Sequence, residues 1–305
     1  MTGAPQKPSD CNERLPGAPV IGFSDLLAGQ PLTIINGDCR TALRALPDQS
    51  VNCCVTSPPY WGLRNYGHTD QIGQEETSEA FVQTMRQVFA EVWRVLRDDG
   101  TLWLNLGDTY EGKSLSGVPW RVALALKADG WQLRSDIIWH KPNPMPEPLG
   151  IRRPTKAHEY LFMFAKGEKY YWDEAAVQER KECWRKRGHG RSKQNGDRND
   201  NGEMAHFANK DIERGTRNKR DVWTVPTFSF KGAHFATYPP DLIRPCIVAG
   251  CPADGVVLDP FGGSGTTGQV ALEAGRRAVL VELNPDYVKM CNERCSTTRG
   301  LPLAC

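Results

Sequence analysis

The sequence predicts an α/β fold with a mostly parallel sheet. Short apolar runs that end in turn residues, such as "LTIINGD", "VNCCVTS" and "TLWLNLGD", alternate with segments of helical periodicity. A strand also leads directly into a glycine-rich turn and a helix near residue 260, which is typical of parallel βαβ units. With 305 residues, the chain can form one large domain or one domain with an insertion.

Taken in order, the elements begin near residue 31 with the strand "LTIINGD", and a helix is predicted over 41–46. The strand "VNCCVTS" comes next, followed by the strongest helical pattern, "EAFVQTMRQVFAEVWRVLRDDG", which Gly100 is expected to stop. Its apolar face comprises Phe81, Met85, Val88, Phe89, Val92 and Leu96. The strand "TLWLNLGD", the helix "PWRVALALKADG" and the strand "LRSDIIWH" complete this half.

An antiparallel hairpin is predicted at one edge of the sheet. The run "EYLFMFAKGEKYYWD" reads as two strands joined by a turn at 166–168. The residues beyond this run have a different character.

The region 176–230 is predicted to be an inserted recognition region. From 180 to 220 there are thirteen Lys and Arg against six Asp and Glu, with many Gly and Asn and almost no apolar periodicity. Two interpretations stay open: a solvated, partly mobile loop, or a segment that follows the phosphates of a nucleic acid and orders on it, with Trp184 as a stacking or wedging ring.

Charge, cysteine usage and the chain ends narrow the classes of protein. A net charge of +2 gives no global argument for a polyanionic partner, so any nucleic-acid surface must be local. The ten cysteines include no Cys-x-x-Cys pair, so no metal is predicted. Cys53 and Cys54 are expected to pack as small hydrophobic residues. The expected compartment is the reducing cytoplasm. No apolar run approaches the length of a membrane span, and 1–30 is expected to be a solvated tail without a signal peptide.

The glycine-rich stretch "GVVLDPFGGSGTTGQVALEAG" predicts a Rossmann-like, nucleotide-binding βαβ unit. Gly263, Gly265 and Gly268 have the G-x-G-x-x-G spacing, and Glu282 ends the next strand, where it could hold ribose hydroxyls. No Gly-Lys-Ser/Thr follows, which excludes a P-loop.

The position of this unit in the chain argues against a dinucleotide dehydrogenase. Such folds begin with the glycine unit, whereas here only about forty residues follow Gly265, so the other strands must come from the amino-terminal half. That half contains "TSPPYWG" at the carboxyl end of a strand, where open α/β sheets bind their ligands. The proline loop and the glycine loop should therefore meet at one sheet edge.

Three motifs in this order resemble the S-adenosylmethionine-dependent amino-methyltransferases of DNA, in the circularly permuted motif order called the β class. They are "SPPY" at 57–60, "HFATYPPDLI" at 234–243 and "DPFGGSGTT" at 259–267, within a resemblance that covers roughly 31–295. The resemblance implies a transferase whose partner is double-stranded DNA and whose cofactor is S-adenosyl-L-methionine.

The resemblance also implies the catalytic residues Ser57, Pro58, Pro59 and Tyr60. Ser57 Oγ and the Pro58 carbonyl would accept hydrogen bonds from an exocyclic amine, and the two prolines would fix that carbonyl in place. Tyr60 would stack on a base rotated out of the duplex. A plain strand-ending turn with exposed aromatic residues is the alternative for this stretch.

The cofactor-binding residues implied are Asp38, Asp259, Phe261, Gly262, Gly263, Ser264, Gly265, Thr266 and Glu282. Asp38 would accept from the cofactor's adenine amine and Glu282 would bind its ribose. Asp259 and the loop 261–265 would surround the methionine part. The helix beginning near Thr266 would direct its amide end towards the cofactor carboxylate.

Within the family resembled, serine at the first motif position tends to accompany methylation of cytosine N4, and aspartate that of adenine N6. We therefore expect cytosine N4, with adenine N6 as the alternative. Cytosine C5 methylation needs a cysteine nucleophile after the glycine loop, and Cys246 lies before it. A catalytically inactive DNA-binding module and a methyltransferase of RNA or protein are the remaining alternatives; the permuted order and the intact motifs favour DNA methylation.

DNA contacts are expected outside these motifs. The candidates are Arg152, Arg153, Arg185, Lys186, Arg187 and Arg191. The expected organisation is a tail at 1–30, a catalytic half at 31–175, the basic insertion at 176–230, a cofactor-binding half at 231–295 and a tail at 296–305. The sequence leaves open a homodimer, a cognate restriction endonuclease and the DNA sequence that is methylated.

Overall fold

The computed structural model describes residues 30–64, 67–68, 70–180, 215–227 and 238–296. They belong to two compact units: Glu174–Arg220 forms one, and the chain on either side of it forms the other. The predicted tails, apart from residues 30 and 296, lie outside the described residues.

The strands, numbered along the chain, are β1 (Leu32–Asn36), β2 (Val51–Thr56), β3 (Leu96–Leu106), β4 (Tyr110–Glu111), β5 (Ser114–Leu115), β6 (Gln132–His140), β7 (His158–Ala165), β8 (Glu179–Arg180), β9 (Thr216–Arg217), β10 (Val222–Thr224), β11 (Val256–Asp259) and β12 (Arg277–Glu282). The α-helices are α1 (Cys39–Ala45), α2 (Ser78–Val95), α3 (Val118–Ala128), α4 (Pro240–Gly250), α5 (Thr266–Glu273) and α6 (Pro285–Ser296). A short 3₁₀ helix covers Ala175–Val177.

The main sheet has the strand order β1-β12-β11-β2-β3-β7-β6-β10 within the described residues. All neighbours pair in parallel except β7, which is antiparallel to both β3 and β6. The last unit of the chain, β11-α5-β12, sits inside the sheet between β1 and β2. The predicted Rossmann-like, mostly parallel sheet with a permuted order is therefore confirmed.

Helices cover both faces of this sheet, so the first unit has three layers. Leu43, Phe89 and Val122, from α1, α2 and α3, belong to one hydrophobic core. Ile243 from α4 and Cys291 from α6 belong to the core on the other face. Along β2 successive side chains enter opposite cores, as the twofold alternation of a strand requires.

Helix α2 forms where its periodicity predicts, but it ends earlier. Thr77 caps it by accepting from the Ala80 amide at 3.1 Å. The helix stops at Val95, and Leu96 pairs with Val51 of β2 instead of adding another helical turn. Pairing with the central sheet overrides the helical pattern of the next four residues.

The predicted hairpin around 166–168 is wrong in its second strand. Residues 169–173 form no strand; the antiparallel partners of β7 are β3 and β6, and β10 lies beyond β6. Aromatic contacts hold this segment instead: Trp172 stacks on Trp103 with ring centroids 6.2 Å apart, and the Arg134 guanidinium lies 5.2 Å from the Tyr170 ring. The β-rich composition of "KYYWD" therefore reflects packing against the sheet rather than pairing within it.

The second unit contains a small antiparallel pair, β8 with β9. Glu179 pairs there with Arg217 at 2.8 Å and with Arg220 at 2.6 Å. β10, although inside the predicted insertion 176–230, belongs to the main sheet. Among the described residues, no helix has both the length and the apolar character needed to cross a membrane.

Candidate active site

A cavity of about 670 Å³ opens at the carboxyl ends of the parallel strands. β2 and β11 are neighbours, with Cys54 opposite Leu258, so the segments that follow them leave the sheet side by side. The lining accordingly includes Ser57 and Tyr60 from the proline loop and Gly263 from the glycine turn. The two loops, about two hundred residues apart in sequence, share one pocket.

Most of the predicted site residues lie in this lining. They are Asp38, Ser57, Pro58, Pro59, Tyr60, Asp259, Phe261, Gly262, Gly263, Ser264, Thr266 and Glu282. Gly265 lies just behind it as the residue preceding α5. The catalytic and binding roles assigned to these residues stay predictions.

The Asp259 carboxylate ties the two loops together. It is 1% exposed and accepts from the hydroxyl of Thr56 at 2.6 Å, that of Thr267 at 2.6 Å, that of Tyr238 at 3.0 Å and the Phe261 amide at 3.0 Å. Burial raises the pKa of this carboxyl, and these donors oppose the rise. Because the carboxylate already accepts four hydrogen bonds, its geometry suits it to fixing the turn.

A second polar cluster holds Tyr60. Its hydroxyl donates to Glu159 at 2.6 Å and accepts from Asn105 Nδ2 at 2.8 Å. Asn105 Nδ2 also lies 3.0 Å from Glu159 and 3.4 Å from Ser57 Oγ. The Lys141 ammonium completes the cluster with an ion pair to the other oxygen of Glu159. The ring of Tyr60 is thus anchored at its hydroxyl end.

From sequence alone, Asn105 and Glu159 carry no prediction, and Lys141 is named only within "WHKPNPMPE", a stretch expected to line the substrate entry. Each lies at or next to the carboxyl edge of the parallel strands: Asn105 near the end of β3, Lys141 just after β6, and Glu159 at the start of the reversed strand β7. For Asn105 the available signal was a lone amide inside the apolar run of "TLWLNLGD".

Gly107 supports the Tyr60 ring through close backbone approach. A Cβ at this position would lie 2.4 Å from Cε2 and 2.9 Å from Cδ2 of Tyr60, inside van der Waals contact. Only a residue without a side chain lets the ring pack here.

The glycine turn is held by Glu282 from the end of β12. One carboxylate oxygen accepts from the Gly263 amide at 2.7 Å and the other from the Asn284 amide at 2.8 Å. Gly263 has φ of +52°, and the side on which a Cβ would project has only the Phe261 carbonyl within 4 Å, at 3.8 Å. The turn therefore leaves room for a ligand to approach its backbone.

Helix α5 directs its amino-terminal end at the same cavity. Gly265 precedes it in the left-handed region, and no side chain caps it among the described residues. Arg294 from α6 donates to the hydroxyls of Ser264 and Thr266, both at 2.9 Å. Ser264 and Thr266 line the cavity and Arg294 does not, so the helix amino terminus is the feature that favours a bound carboxylate here.

Asp38 lines the cavity and also caps the amino-terminal end of α1. Its carboxylate accepts from the Arg40 amide at 2.7 Å and forms an ion pair with the Arg40 guanidinium. Partial burial by itself would raise the pKa of Asp38, but the bonds to Arg40 outweigh that effect and lower it. The carboxylate is thus held ionised at the rim, as an acceptor for an amine requires.

The predicted DNA contacts divide into two groups. Arg152 and Arg153 lie outside the cavity lining. Arg153 pairs with Glu147 at 2.9 Å and stands 3.9 Å above the Tyr110 ring, so its charge holds the loop in which it lies. Trp184, Arg185, Lys186, Arg187 and Arg191 lie outside the described residues.

Comparison with known proteins identifies the family. The "DNA methylase" family model, which covers N6 and N4 amino-methyltransferases, matches residues 51–293. The chain belongs to this family. Two curated relatives agree: Type II methyltransferase M.XycI of Xanthomonas campestris pv. cyanopsidis is 44% identical over 91% of this chain and 93% of its own. Type II methyltransferase M.Cfr9I of Citrobacter freundii is 45% identical over 86% of this chain and 87% of its own.

Solved structures show the same fold. The PvuII cytosine-N4-specific DNA methyltransferase superposes with a TM-score of 0.64 at 21% identity, over 89% of this chain and 86% of that one. TTHA0409, a putative DNA modification methylase of Thermus thermophilus, was solved with S-adenosyl-L-methionine. It gives a TM-score of 0.57 at 27% identity, over 88% of this chain and 95% of that one. The protein is thus a site-specific DNA methyltransferase of the N4/N6 family.

The methyltransferase uses S-adenosyl-L-methionine, and its cavity fits that group. When bound, the cofactor supplies an electrophilic methyl group on a sulfonium sulfur. The open side of Gly263 admits a ligand against the backbone, and the neighbouring Glu282 carboxylate can accept from hydroxyls. The amino-terminal end of α5, where Ser264 and Thr266 line the cavity, suits a carboxylate.

Cofactor binding by the methyltransferase is expected to weaken on acidification. Burial raises the pKa of Glu282 above its usual 4.5, against the opposing amide bonds, so the carboxylate becomes protonated at a higher pH than an exposed glutamate. Protonation removes acceptor strength for the hydroxyls. Calorimetric titration with the cofactor from about pH 5 to about pH 8 should show affinity falling as the pH drops through this raised pKa.

Glu282→Gln is the matched variant for this titration, because it keeps an acceptor oxygen but cannot titrate. We expect weaker binding with a flatter pH profile. An unchanged profile in the variant would assign the dependence to another group.

Proposed function

We propose that this methyltransferase methylates the exocyclic N4 of a cytosine that has left the duplex. The observation that carries the proposal is the serine at position 57, which lines the same cavity as the glycine turn. Serine at this position tends to accompany cytosine N4 in the family, whereas aspartate tends to accompany adenine N6.

The exocyclic amine of cytosine is a poor nucleophile unless the protein activates it. Its lone pair is delocalised into the ring, so acceptors on its N–H groups are needed to favour a tetrahedral, more nucleophilic nitrogen. Ser57 Oγ and the Pro58 carbonyl are the proposed acceptors, both in the lining. Asn105 is 2% exposed, lines the cavity, and its Oδ1 has no hydrogen-bond partner in the described part of the chain, which supports a third acceptor beside them.

Tyr60 is proposed to stack on the extruded base. The bonds of its hydroxyl to Glu159 and Asn105 and its contact with Gly107 fix the ring before a base arrives, which is preorganisation. Once methylated, the amine is cationic and acidic, so it can release its proton without a strong base.

Adenine N6 is the second candidate, because its amine presents the same donors to the same acceptors. The likeness to the cytosine-N4-specific PvuII enzyme, at 21% identity, supports the fold and leaves the base to experiment.

Nucleoside mass spectrometry tests the proposal. Duplex DNA incubated with the protein and labelled S-adenosyl-L-methionine is digested and analysed; we expect N4-methylcytosine and no 6-methyladenine. The opposite result would replace cytosine by adenine. RNA and protein offered in parallel should take up no label. A homodimer and a cognate endonuclease stay open, as the sequence left them.

Cys246→Ala is the control for C5 chemistry in the same assay. Cys246 is fully buried in α4, where its thiol lies 3.6 Å from the Leu242 carbonyl and outside the cavity lining. A C5 methyltransferase needs its cysteine at the base. The variant should therefore retain activity, and its inactivity together with 5-methylcytosine from the wild type would contradict the amine mechanism.

A further inference from the structure

The loop between β6 and β7 presents a bare apolar side chain at the cavity mouth. Met145 is 85% exposed, and prolines precede and follow it. Single exposed hydrophobic residues are ordinary. Met145 differs because it also lines the cavity that contains Ser57 and Tyr60.

The loop is fixed at its base. The Lys141 amide donates to the Ala157 carbonyl at 2.8 Å, which closes its two ends. Asn143, two residues before Met145, accepts a hydrogen bond from the Thr227 amide at 2.9 Å.

The far half of the loop is fixed as well. The Lys156 ammonium donates to the Asp108 carbonyl at 3.1 Å, and the Lys156 amide donates to Glu147 at 3.3 Å. Arg153 adds its ion pair to Glu147. Because these anchors lie on both sides of Met145 and proline restricts the backbone, the chain that carries the methionine has little freedom to move away from the cavity.

A duplex that gives up one base for methylation has a gap in its stack. An apolar side chain inserted between base steps can fill such a gap, and the burial offsets part of the cost of unstacking. The residue that does so must stand beside the pocket that receives the base, and it must be exposed before DNA arrives. Met145 and Leu63 both line the cavity and are exposed, but Met145 is 85% exposed against 53% for Leu63, which makes Met145 the stronger candidate.

We propose that Met145 enters the DNA stack in the space left by the target base and so holds that base in the cavity. The inference rests on extrusion of the base and holds for cytosine and adenine alike. Leu149 in the same loop is also fully exposed but does not line the cavity. It is therefore the matched comparison.

Binding to two duplexes tests this proposal. One has the target base normally paired and the other has it mispaired; both carry fluorescent 2-aminopurine beside the target. Met145→Ala should weaken binding to the paired duplex by about tenfold and reduce its fluorescence rise. Affinity should return towards the wild-type value on the mispaired duplex, because that base leaves the stack more easily.

Leu149→Ala and Met145→Leu complete the design. Both should bind the paired duplex like the wild type, the first because Leu149 is off the cavity and the second because leucine can fill the same gap. The proposal would be overturned if Met145→Ala had wild-type affinity and fluorescence, or if it lost equal affinity on both duplexes. It would also be overturned if Leu149→Ala, and not Met145→Ala, bound the paired duplex more weakly. Once the mass spectrum has identified the target base, these readouts measure binding alone, so this proposal can fail while the base assignment stands.

Discussion

Ser57→Ala is expected to lower kcat for DNA methylation by about 10²- to 10³-fold. The variant removes one acceptor from the amine while leaving the Pro58 carbonyl and the Tyr60 ring in the cavity. An acceptor that matters most as the nitrogen becomes tetrahedral affects kcat more than substrate binding. Single-turnover kinetics with labelled cofactor measure this step directly.

Two measurements control the Ser57 variant. Cofactor affinity should stay at the wild-type value, because the glycine turn is held by Glu282 and Asp259. Ser114→Ala, an exposed serine in β5, should leave the rate unchanged. A rate within threefold of wild type in Ser57→Ala, or a loss explained by weaker cofactor binding, would show that Ser57 Oγ is not an acceptor for the amine.

Gly107→Ala is expected to lower kcat/KM on the order of 10²-fold, although it adds one methyl group outside the base pocket. The new Cβ would lie 2.4 Å from Cε2 of Tyr60, so the ring must move, while its hydroxyl is tied to Glu159 and Asn105. On the proposed mechanism, a displaced ring cannot stack on the base in the geometry that brings its amine to Ser57.

A double-mutant cycle distinguishes an effect of Gly107→Ala through the Tyr60 ring from a general destabilisation of the fold. If Gly107 acts only through the ring, adding Gly107→Ala to Tyr60→Ala should cause little further loss. Gly167→Ala is the matched control, since nothing lies within 4 Å of its Cβ position, and it should behave like the wild type. Additive losses in the cycle, or an equal defect in Gly167→Ala, would contradict a role through Tyr60.

The meeting of the two loops could be predicted from sequence because one rule decides it. Parallel strands end at a common edge, so Ser57 after β2 and Gly263 after β11 had to emerge on the same side. The structure adds that β2 and β11 are direct neighbours and that the Thr56 hydroxyl bonds to Asp259. This adjacency depends on the strand order, and no local sequence pattern reveals the strand order.

Residues brought in by the reversed strand could not be predicted in this way. Glu159 is the second residue of β7, and the start of a strand that ran parallel to its neighbours would lie at the edge opposite the ligand. Because β7 is antiparallel to β3, Glu159 reaches the same edge as Asn105. The assumed hairpin at 166–168 concealed this, since it paired β7 with the wrong residues.

The early end of α2 has a similar cause. The periodic pattern continues through Leu96, and local propensity alone extends the helix towards Gly100. The pairing of Leu96 with Val51 is a long-range interaction, and such interactions override local preference at element ends.

A crystal structure of the protein with S-adenosylhomocysteine and its duplex tests the central claim most directly, with the duplex sequence taken from long-read sequencing of DNA from cells that express the protein. We expect the target base outside the helix, its ring against Tyr60 and its amine at Ser57, with the sulfur between that amine and Gly263. A base that stays paired, or that binds away from Ser57 with the cofactor elsewhere, would contradict the account.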